Sequence, residues 1–405
     1  MAIIRPFRAF RPPPQMADQV AELPYDVVSA SEARAIASQR PHSFFHVSRA
    51  EIDFGENQNP HDSIVYEKAK KNLEKLVYDK ALLQDSRESF YVYQLKFQGR
   101  TQTGIVALCS TDEYEKGIIK RHELTRQDKE DDRVKHIEFC SAHTGLVFLT
   151  YRRNEVLKNA VYKEIENKSP DTNITTSDSV EHKIWSISDP KTIYGLAHIM
   201  QKVSSLYIAD GHHRAHAAWR VGRSRSSSDS KFFMAGIFSE DELKILPYYR
   251  ILKNIPKNIE SVLQLSNYFS LKTLEGVDSF EPRRPHEFGI YFNEKWYELT
   301  LRPETVDKSD LIKSLDVYIL QENLLKPVFG IKDPRTDENI DFMGGVRGVN
   351  ALREHCREKN FLGITLFATS LEEVMNVADK SLIMPPKSTW FEPKLRSGLF
   401  VNRFD

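Results

Sequence analysis

A strand, a tight turn and the start of a helix follow one another near the middle of the chain. The apolar residues 206–209 predict the strand, Asp210-Gly211 predicts the turn, and the alanine-rich residues 212–218 predict the helix. The first turn of a helix has backbone N–H groups without intrahelical partners and the positive end of the helix dipole, so anions bind there readily. Three side chains that suit a phosphate or carboxylate pocket lie in that turn: His212, His213 and Arg214.

The composition is that of a globular protein with no overall charge. Of the 405 residues 40% are hydrophobic, which is enough for an ample core and, at roughly 150 residues each, for two or three domains. Lysine plus arginine and aspartate plus glutamate both number 57, so no net field draws the protein to nucleic acid or to an anionic membrane. We therefore expect a small-molecule enzyme with no nucleic-acid or membrane partner.

The cysteines and the hydrophobic segments indicate the compartment. Cys109, Cys140 and Cys356 are far apart and lack metal-ligand spacing, which favours a reducing compartment over a disulfide framework. Residues 1–14 are arginine-rich but lack the continuous apolar core of a signal peptide. No stretch approaches the roughly 18 apolar residues that span a bilayer. We expect a cytoplasmic protein.

Short strand-like runs alternate with amphipathic helical runs, which predicts a mixed α/β or α+β fold. Helices are expected over residues 31–40, opened by Ser29 or Ser31 as N-cap, and over 65–83. Strands are expected over 43–48 and, as a pair, over 89–97 and 103–109. Polar residues 164–179 and the serine-rich residues 221–230 predict loops. Breaks in the pattern predict three modules, 1–150, 151–253 and 254–405.

A nearly continuous run of polar residues with both signs of charge occupies positions 120–136. One interpretation is a solvated helix whose salt bridges join residues four apart, Arg126 with Glu130 and Asp131 with Lys135. A helix that only covers a core needs an apolar stripe, however, and few residues here can form one. The composition therefore favours residues 121–133 as a polar wall of an active site, with the solvated helix as the alternative.

The third cluster, residues 383–398, contains three prolines, which forbid a regular helix or a central strand. Its lysine and hydroxyl groups can hold a phosphate and its aromatic pair a base, although the same aromatic pair can anchor a tail to the core. The candidate ligands are Lys387, Ser388, Thr389 and Trp390. Upstream, the glycine-rich residues 344–348 match neither the Walker nor the dinucleotide-binding pattern. We expect residues 384–394 to form a second wall of the site.

Five motifs occur in order along nearly the whole chain: Pro24–Asp26, His122–Thr125 with Lys129–Arg133, Asp210–Arg214, Asp341–Gly345 and Met384–Trp390. Together they resemble the domain of unknown function 1015 family. The Asp210–Arg214 element is also similar to that of ParB-like free serine kinases, relatives of ParB and sulfiredoxin, in which this turn handles nucleotide phosphates. The resemblance implies a ParB/sulfiredoxin-like nucleotide-binding core with additional N- and C-terminal modules. It also implies Mg²⁺-assisted transfer of a phosphoryl group from ATP or ADP to free L-serine.

The resemblance assigns roles to the polar residues. Phosphoryl transfer needs a positioned nucleophile, a base and groups that neutralise the transferring charge. The expected catalytic residues are Glu123 as general base (with Asp26 and Glu51 as lesser candidates), Asp210 to orient the turn or hold the metal, and His212, His213 and Arg214 around the phosphate. The expected nucleotide or phosphate ligands are Gly211, Arg121, Lys129, Arg133, Lys387, Ser388, Thr389 and Trp390. The expected substrate ligands are Asp26, His122 and Thr125.

Three other interpretations of the histidine-rich helix stay open. His212 and His216 lie four residues apart on one helix face and, with Asp210 or His213, can form the zinc or manganese centre of a hydrolase. A ParB-like regulator that binds and hydrolyses nucleotide is a second possibility, although the neutral charge and the lack of a basic helix-turn-helix weigh against DNA. In the third, the Asp-Gly pair is only a turn and the histidines pack.

Overall fold

The computed structural model describes residues 2–225, 227–264, 267–307 and 309–404, so Ser226 of the serine-rich stretch lies outside them. The chain divides into two compact units, Met1–Leu243 with Pro393–Asp405, and Lys244–Glu392. The three modules expected from the sequence divide the chain differently. The first boundary, at 150, runs through one sheet, because strand Arg100–Ser110 pairs with strand Phe232–Ser239. The last residues return to the first unit, which local sequence patterns do not show.

The strands are numbered in chain order: β1 (Ile4–Arg5), β2 (Phe10–Arg11), β3 (Leu83–Gln84), β4 (Phe90–Phe97), β5 (Arg100–Ser110), β6 (Ile119–Lys120), β7 (Ala142–His143), β8 (Val147–Tyr151), β9 (Thr172–Thr175), β10 (Glu181–Ile187), β11 (Leu206–Asp210), β12 (Phe232–Ser239), β13 (Lys244–Leu246), β14 (Tyr248–Leu252), β15 (Phe269–Leu274), β16 (Glu287–Phe292), β17 (Lys295–Leu301), β18 (Ile340–Gly344), β19 (Leu362–Leu366), β20 (Trp390–Glu392) and β21 (Asn402–Arg403).

The helices are α1 (Ala17–Val20), α2 (Ala30–Ala37), α3 (Phe45–Ser48), α4 (Ser63–Tyr78), α5 (Thr111–Glu115), α6 (Gln127–Cys140), α7 (Glu155–Lys163), α8 (Pro190–Met200), α9 (His212–Ser224), α10 (Ile259–Gln264), α11 (Asp316–Leu320), α12 (Lys326–Phe329), α13 (Gly348–Lys359) and α14 (Leu371–Asp379). This mixture of helices and sheets confirms the predicted α+β class. None of the helices described is both long and apolar enough to cross a membrane.

A nine-stranded mixed sheet organises the first unit, in the order β6-β11-β8-β12-β5-β4-β10-β9 with β1 added to β5. Strand β11 pairs in parallel with β6 and antiparallel with β8. Because parallel strands end at the same sheet edge, the chain that follows β6 and the chain that follows β11 emerge side by side. Helix α9 follows β11, helix α6 follows β6, and the two helices pack against each other. This pairing places the two polar motifs together.

The local predictions held where nearby residues decide the structure. Helix α2 is confirmed, with Ser29 and Glu32 forming a reciprocal capping box, and the β4–β5 pair is confirmed. Helix α4 ends at Tyr78, earlier than predicted, because Lys80 adopts a left-handed conformation. The strand predicted over 43–48 is wrong, since residues 45–48 form α3. Short apolar runs fit either structure, and here burial of neighbouring aromatic side chains decides for the helix.

The loop predictions are only partly correct. Polar residues 164–179 include the short strand β9, and helix α9 extends to Ser224, into the serine-rich stretch.

The second unit contains a six-stranded antiparallel sheet in the order β15-β17-β16-β19-β14-β18. Strand β14 lies between β18 and β19. Helix α13 packs on this sheet through Leu352 and Cys356, which are buried with Tyr249 and Trp296 in one apolar cluster. A separate two-stranded ladder joins β13, at the start of the unit, to β20, at its end.

Candidate active site

The strand–turn–helix element lies where the sequence predicts it. Asp210 is the last residue of β11 and Gly211 precedes the first residue of α9. Gly211 has a φ of +93°, a conformation that side chains rarely adopt. A Cβ added at this position would also lie 3.0 Å from the Arg214 guanidinium. Glycine is therefore required here both by the turn and by the position of Arg214.

Two cations surround the Asp210 carboxylate. Its Oδ2 atom lies 3.0 Å from Lys394 Nζ and 3.9 Å from Arg214 Nη2, and its Oδ1 atom accepts the Gly211 N–H at 2.8 Å. Burial alone raises the pKa of Asp210, but Lys394 and Arg214 outweigh it and hold the pKa well below the ordinary value. One negative charge therefore faces two positive charges, which leaves an excess positive charge at the start of α9.

The N-terminus of α9 has no side-chain cap. Asp210, the acidic residue next to it, accepts the Gly211 N–H and pairs with Lys394. The next backbone N–H groups point out of the helix end with the positive end of the dipole. Arg214 donates from Nη1 to the Leu146 carbonyl, while its buried Nε has no hydrogen-bond partner among the described residues. An uncapped helix end with excess positive charge is suited to binding an anion.

We expect Gly211→Ala to remove this anion site and to destabilise the protein by about 1–2 kcal/mol, since a side chain in the left-handed conformation costs about that much. Urea denaturation with and without inorganic phosphate measures both effects. Gly99→Ala is the matched control, because Gly99 has a φ of +76° but no atom within 4 Å of an added Cβ. Phosphate should stabilise the wild type and the control only. Equal stabilisation of Gly211→Ala would contradict the role of this turn.

Two buried imidazoles and one carboxylate lie beside the helix start. The rings of His122 and His212 meet edge to face with centroids 4.6 Å apart, and His212 Nδ1 lies 3.7 Å from Glu123 Oε2. Burial lowers the pKa of His212 to about 3 and that of His122 well below its ordinary value. Both rings are therefore neutral near pH 7, while the Glu123 side chain is 47% exposed and open to a ligand.

His213 joins the helix to the preceding loop. Its Nε2 atom accepts the Arg126 backbone N–H at 3.1 Å, so the neutral ring has its proton on Nδ1. Burial lowers the pKa of His213, and the charges of Glu123 and Asp26 oppose that shift. Asp26 is exposed and acts on His213 through its charge. Both predicted substrate or base candidates, Glu123 and Asp26, thus lie within electrostatic reach of this histidine.

The charged run forms neither a plain solvated helix nor the predicted ion pairs. On α6, Glu130, Asp132, Arg133 and His136 are buried. Arg126 pairs with Asp128, and Asp131 pairs with Arg220 of α9. Glu130 accepts from Thr125 and lies 3.2 Å from His216 Nε2. The contacts of Glu130 and Asp131 with His216 and Arg220 hold α6 against α9, so these two residues join the helices.

Two small cavities lie beside Arg133. The Arg133 guanidinium is 3.9 Å from the Tyr25 ring centroid and pairs with Asp132 at 2.6 Å. One cavity, of about 30 Å³, is lined by Tyr25, Arg133 and Arg214 among others. The second, of about 80 Å³, is lined by Tyr25, Arg133, Lys129 and Glu51 among others. Three predicted phosphate ligands, Lys129, Arg133 and Arg214, and the lesser base candidate Glu51 therefore line these cavities, whereas the predicted substrate ligands do not.

The other predicted ligands occupy different places. Arg121 is close enough to lower the pKa of His212 by its charge, after the larger effect of burial. Lys387, Ser388, Thr389 and Trp390 belong to the second unit. There Ser388 Oγ donates to the Pro385 carbonyl at 2.6 Å, and the Trp390 ring packs on Gly344. These contacts stabilise the end of the second unit, and the phosphate-binding role of this motif stays a prediction.

Lys394 was not among the predicted ligands. It is buried, with 7% of its side chain exposed, and pairs with Asp210 across 184 positions of sequence. The signal available in the sequence was weak: Lys394 is the last residue of the second predicted wall, and a lysine beside prolines is common on surfaces. Only its contact with Asp210 distinguishes it from other lysines.

The residues that can hold a metal differ from those expected. Among the described residues, ligand atoms of His122, Glu123 and His212 lie within 4.8 Å of one another. Two imidazoles and a carboxylate suit Zn²⁺ better than Mg²⁺. His216 is not part of this group, because its ring contacts Glu130 and the Tyr114 hydroxyl. The Asp210 carboxylate fits Mg²⁺ poorly, since Lys394 already neutralises it.

Several buried histidines should make the first unit sensitive to acid. Burial lowers the pKa of His136 and His143 to about 4 and that of His182 and His212 to about 3. Below pH 6.5 the unfolded chain takes up protons that the native state does not, so stability is present above that pH and is lost as the pH falls. Between pH 6.5 and its native pKa, each such histidine lowers the free energy of unfolding by about 1.4 kcal/mol for each unit by which the pH falls. Urea midpoints at pH 7 and pH 5 should differ markedly, and equal midpoints would show that these rings titrate normally.

The fold and the site define an α+β protein with an uncapped strand–turn–helix element at one sheet edge. The chain belongs to the family described as protein of unknown function (DUF1015), whose model matches residues 4–318. No curated protein sequence matches the chain significantly.

Several solved structures are similar to this chain at low identity. A C-terminally truncated SbnI from Staphylococcus aureus has 11% identity and a TM-score of 0.40, with 72% of this chain and 85% of that chain covered. A mutant free serine kinase in complex with AMP has 14% identity and a TM-score of 0.37, with 71% and 87% covered. A conserved hypothetical protein from Pyrococcus furiosus has 15% identity and a TM-score of 0.33, with 71% and 90% covered. At these scores the similarity supports no argument about function.

Proposed function

We propose that the protein is a kinase that transfers a phosphoryl group from ATP or ADP to the hydroxyl of free L-serine, giving O-phosphoserine. One observation carries the proposal. The uncapped start of α9, with Arg214 and Lys394 around a single carboxylate, lies beside the exposed carboxylate of Glu123. Phosphoryl transfer requires an anion cradle and a base side by side, because the enzyme mainly positions the reactants and stabilises charge.

In this proposal the helix start binds the phosphoryl group that is transferred. Backbone N–H groups of the first turn and the Arg214 guanidinium neutralise charge on its oxygens, and the excess positive charge left by Asp210 adds to them. Asp210 holds Lys394 and the turn in place rather than contacting the reacting atoms. Neutral His212 is a hydrogen-bond partner that does not repel a cationic substrate.

Glu123 is the proposed base. The serine Oγ attacks phosphorus while Glu123 accepts its proton, the bond from phosphorus to the bridging oxygen of the nucleotide breaks, and ADP or AMP leaves. The carboxylate is half exposed, so a substrate can reach it, and the adjacent imidazole of His212 keeps its orientation. A positioned base of this kind accelerates a reaction by about 10²–10⁴.

The neighbouring cavity offers charges for the rest of a zwitterion. Lys129 and Glu51 line it, together with the Arg133–Asp132 pair. An amino acid has a carboxylate that needs a cation and an ammonium that needs an anion, and this cavity provides both. We propose that the substrate's carboxylate binds Lys129 or Arg133.

Phosphorus NMR tests the proposal directly. The purified protein is mixed with Mg²⁺, L-serine and either ATP or ADP, and the spectrum is followed with time. A phosphoserine resonance that requires both serine and nucleotide is the expected result, and the nucleotide that supports it identifies the donor. Nucleotide hydrolysis without phosphoserine would replace the kinase by a nucleotide-hydrolysing regulator. No turnover of either nucleotide would overturn the proposal.

A metal-dependent hydrolase is the second candidate, because His122, Glu123 and His212 bring three potential ligands together. In that case the purified protein should retain Zn²⁺ after dialysis, at a stoichiometry that His122→Ala reduces. Elemental analysis of the wild type and this variant separates the two candidates. The kinase proposal expects no bound Zn²⁺, and its phosphoserine signal should survive treatment with a zinc-selective chelator.

A further inference from the structure

A cavity of about 260 Å³ in the second unit is larger than either cavity beside Arg133. Residues from two of the sequence motifs line it. Phe342 comes from the motif at 341–345, and Pro385 and Pro386 come from the motif at 384–390. Arg250 of β14 lines the same cavity. The proposed kinase chemistry uses neither motif. Another role must therefore explain why residues of both motifs line one cavity.

Arg250 is a buried cation that no described residue balances with a negative charge. Only 3% of the residue is exposed. Its guanidinium donates to the backbone carbonyls of Tyr248 and Lys387, and lies 5.2 Å from the Phe342 ring centroid. Among the described residues no carboxylate pairs with it, and burial lowers the pKa of its side chain to about 10. The carbonyls satisfy some of its N–H groups but leave its charge unbalanced.

The other buried arginines of the chain differ in this respect. Arg133 pairs with Asp132, and Arg396 pairs with Asp178. A buried charge without a counter-ion is costly, and proteins rarely keep one unless something else supplies the opposite charge. A guanidinium presents several N–H donors in one plane, which matches the two oxygens of a carboxylate or phosphate.

The remaining charges at the cavity do not compensate Arg250. Glu322 pairs with Lys326 at 2.8 Å, and Asp333 pairs with Arg335 at 2.8 Å. Lys332 is exposed at the cavity and adds a further positive charge. The two acidic residues of the cavity, Glu322 and Asp333, are therefore already paired with cations. The cavity as a whole attracts an anion.

Apart from the charged residues and Gln321, whose amide donates to the Ile331 carbonyl, the lining is apolar or aromatic. The apolar part consists of Val317, Tyr318, Leu325, Pro334, Phe342, Pro385 and Pro386. A cavity that combines apolar side chains with a buried, fixed cation is typical of a small-molecule site, in which the apolar wall holds the body of the ligand and the charge fixes its orientation. The ligand must therefore have both an anionic group and an apolar or ring-shaped body.

We propose that the second unit binds a small organic anion whose phosphate or carboxylate group contacts Arg250 and whose ring-shaped body packs on Phe342 and Tyr318. The site lies wholly within residues 244–392, and the proposal does not depend on the kinase activity proposed for the first unit. It gives the motifs at 341–345 and 384–390 a shared role, since both supply walls of one ligand site.

Four probes test the site by isothermal titration calorimetry: phenyl phosphate, benzoate, inorganic phosphate and the uncharged benzamide. The full-length protein bearing Arg214→Met is used, so that the first unit's anion site does not contribute. Phenyl phosphate or benzoate should bind saturably with a Kd of about 1 mM or lower, and benzamide should not bind. Stronger binding of one of the two anions identifies phosphate or carboxylate as the group recognised. Inorganic phosphate should bind more weakly than phenyl phosphate, because it has no ring.

Arg250→Met should weaken binding of the preferred anion at least tenfold, and Arg250→Lys should weaken it less, because lysine keeps the charge but not the planar donors. Arg357→Met is the matched control, since this exposed arginine of the second unit pairs with Glu354 and does not line the cavity. The affinity of this control variant for the preferred anion should be the same as that of the protein bearing only Arg214→Met. If Arg250→Met does not fold, Lys332→Ala, an exposed position, should still weaken the binding severalfold.

Two results would overturn the proposal. The first is the absence of saturable binding of both ring-shaped anions to the protein bearing Arg214→Met. The second is binding that Arg250→Met or, where that variant does not fold, Lys332→Ala leaves unchanged. In either case Arg250 would act only as a link between the carbonyls of Tyr248 and Lys387.

Discussion

Arg214→Met is expected to lower kcat/KM for phosphoserine formation by about 10³ or more, the range in which arginines act on transferring phosphoryl groups. Its guanidinium is next to Gly211, at the uncapped start of α9, and donates one hydrogen bond to the Leu146 carbonyl. Removing the charge leaves Lys394 to compensate Asp210 alone, so the excess positive charge disappears. Initial rates from phosphorus NMR or a coupled assay measure the loss.

The control for this prediction is Arg220→Met. Arg220 lies on the same helix but pairs with Asp131 and Glu130. Both variants replace an arginine of α9 with methionine, but only Arg214 borders the proposed anion site. Thermal melts show whether each variant folds. Arg214→Met that is folded and active at the wild-type rate would exclude the α9 start as the site of transfer.

Glu123→Gln is expected to lower kcat by about 10²–10⁴ while changing KM little, because a general base acts in the transition state. The amide keeps the shape of the side chain but cannot accept the serine proton. Since Glu123 is half exposed, the substitution should leave the stability almost unchanged. The acidic limb of the pH–kcat profile should also disappear in the variant, which a purely structural role would not produce.

Glu51→Gln and Asp26→Asn are the matched comparisons, because both carboxylates were weighed as bases. Glu51 pairs with Arg49 at 2.9 Å, and Asp26 acts on His213 from an exposed position. We expect either substitution to raise KM more than it lowers kcat. If one of them abolishes kcat and Glu123→Gln does not, that residue is the base and the assignment of Glu123 is wrong.

Elements that depend on neighbouring residues could be predicted from the sequence. The N-cap of α2, the β4–β5 pair and the turn between β11 and α9 all follow from residues within a few positions of one another. The strand predicted over residues 43–48 was wrong for the opposite reason. It is too short for periodicity to separate strand from helix, so the cores into which its side chains pack decided its structure.

The site could be predicted only in part. The polar motif that contains His122 and Glu123 was expected to converge on the α9 start, and the parallel pairing of β6 with β11 brings it there. That pairing joins strands far apart in sequence, so the sequence suggested the motif's chemistry but not its contacts. Two charged residues of α6, Glu130 and Asp131, pair with side chains of α9, which alternating charge along a helix does not reveal.

By itself, the sequence determined that a helix begins at Asp210-Gly211 with histidines and an arginine in its first turn, because turn chemistry and exposed N–H groups depend only on nearby residues. Only the tertiary structure determines which charged groups are paired and which titratable groups are neutral. Lys394 reaches Asp210 from 184 positions away, burial keeps His212 neutral, and Arg250 is buried with no carboxylate partner in the described part of the chain. The physical reason is that desolvation and ion pairing depend on which distant segments pack together, and that packing is a property of the whole fold.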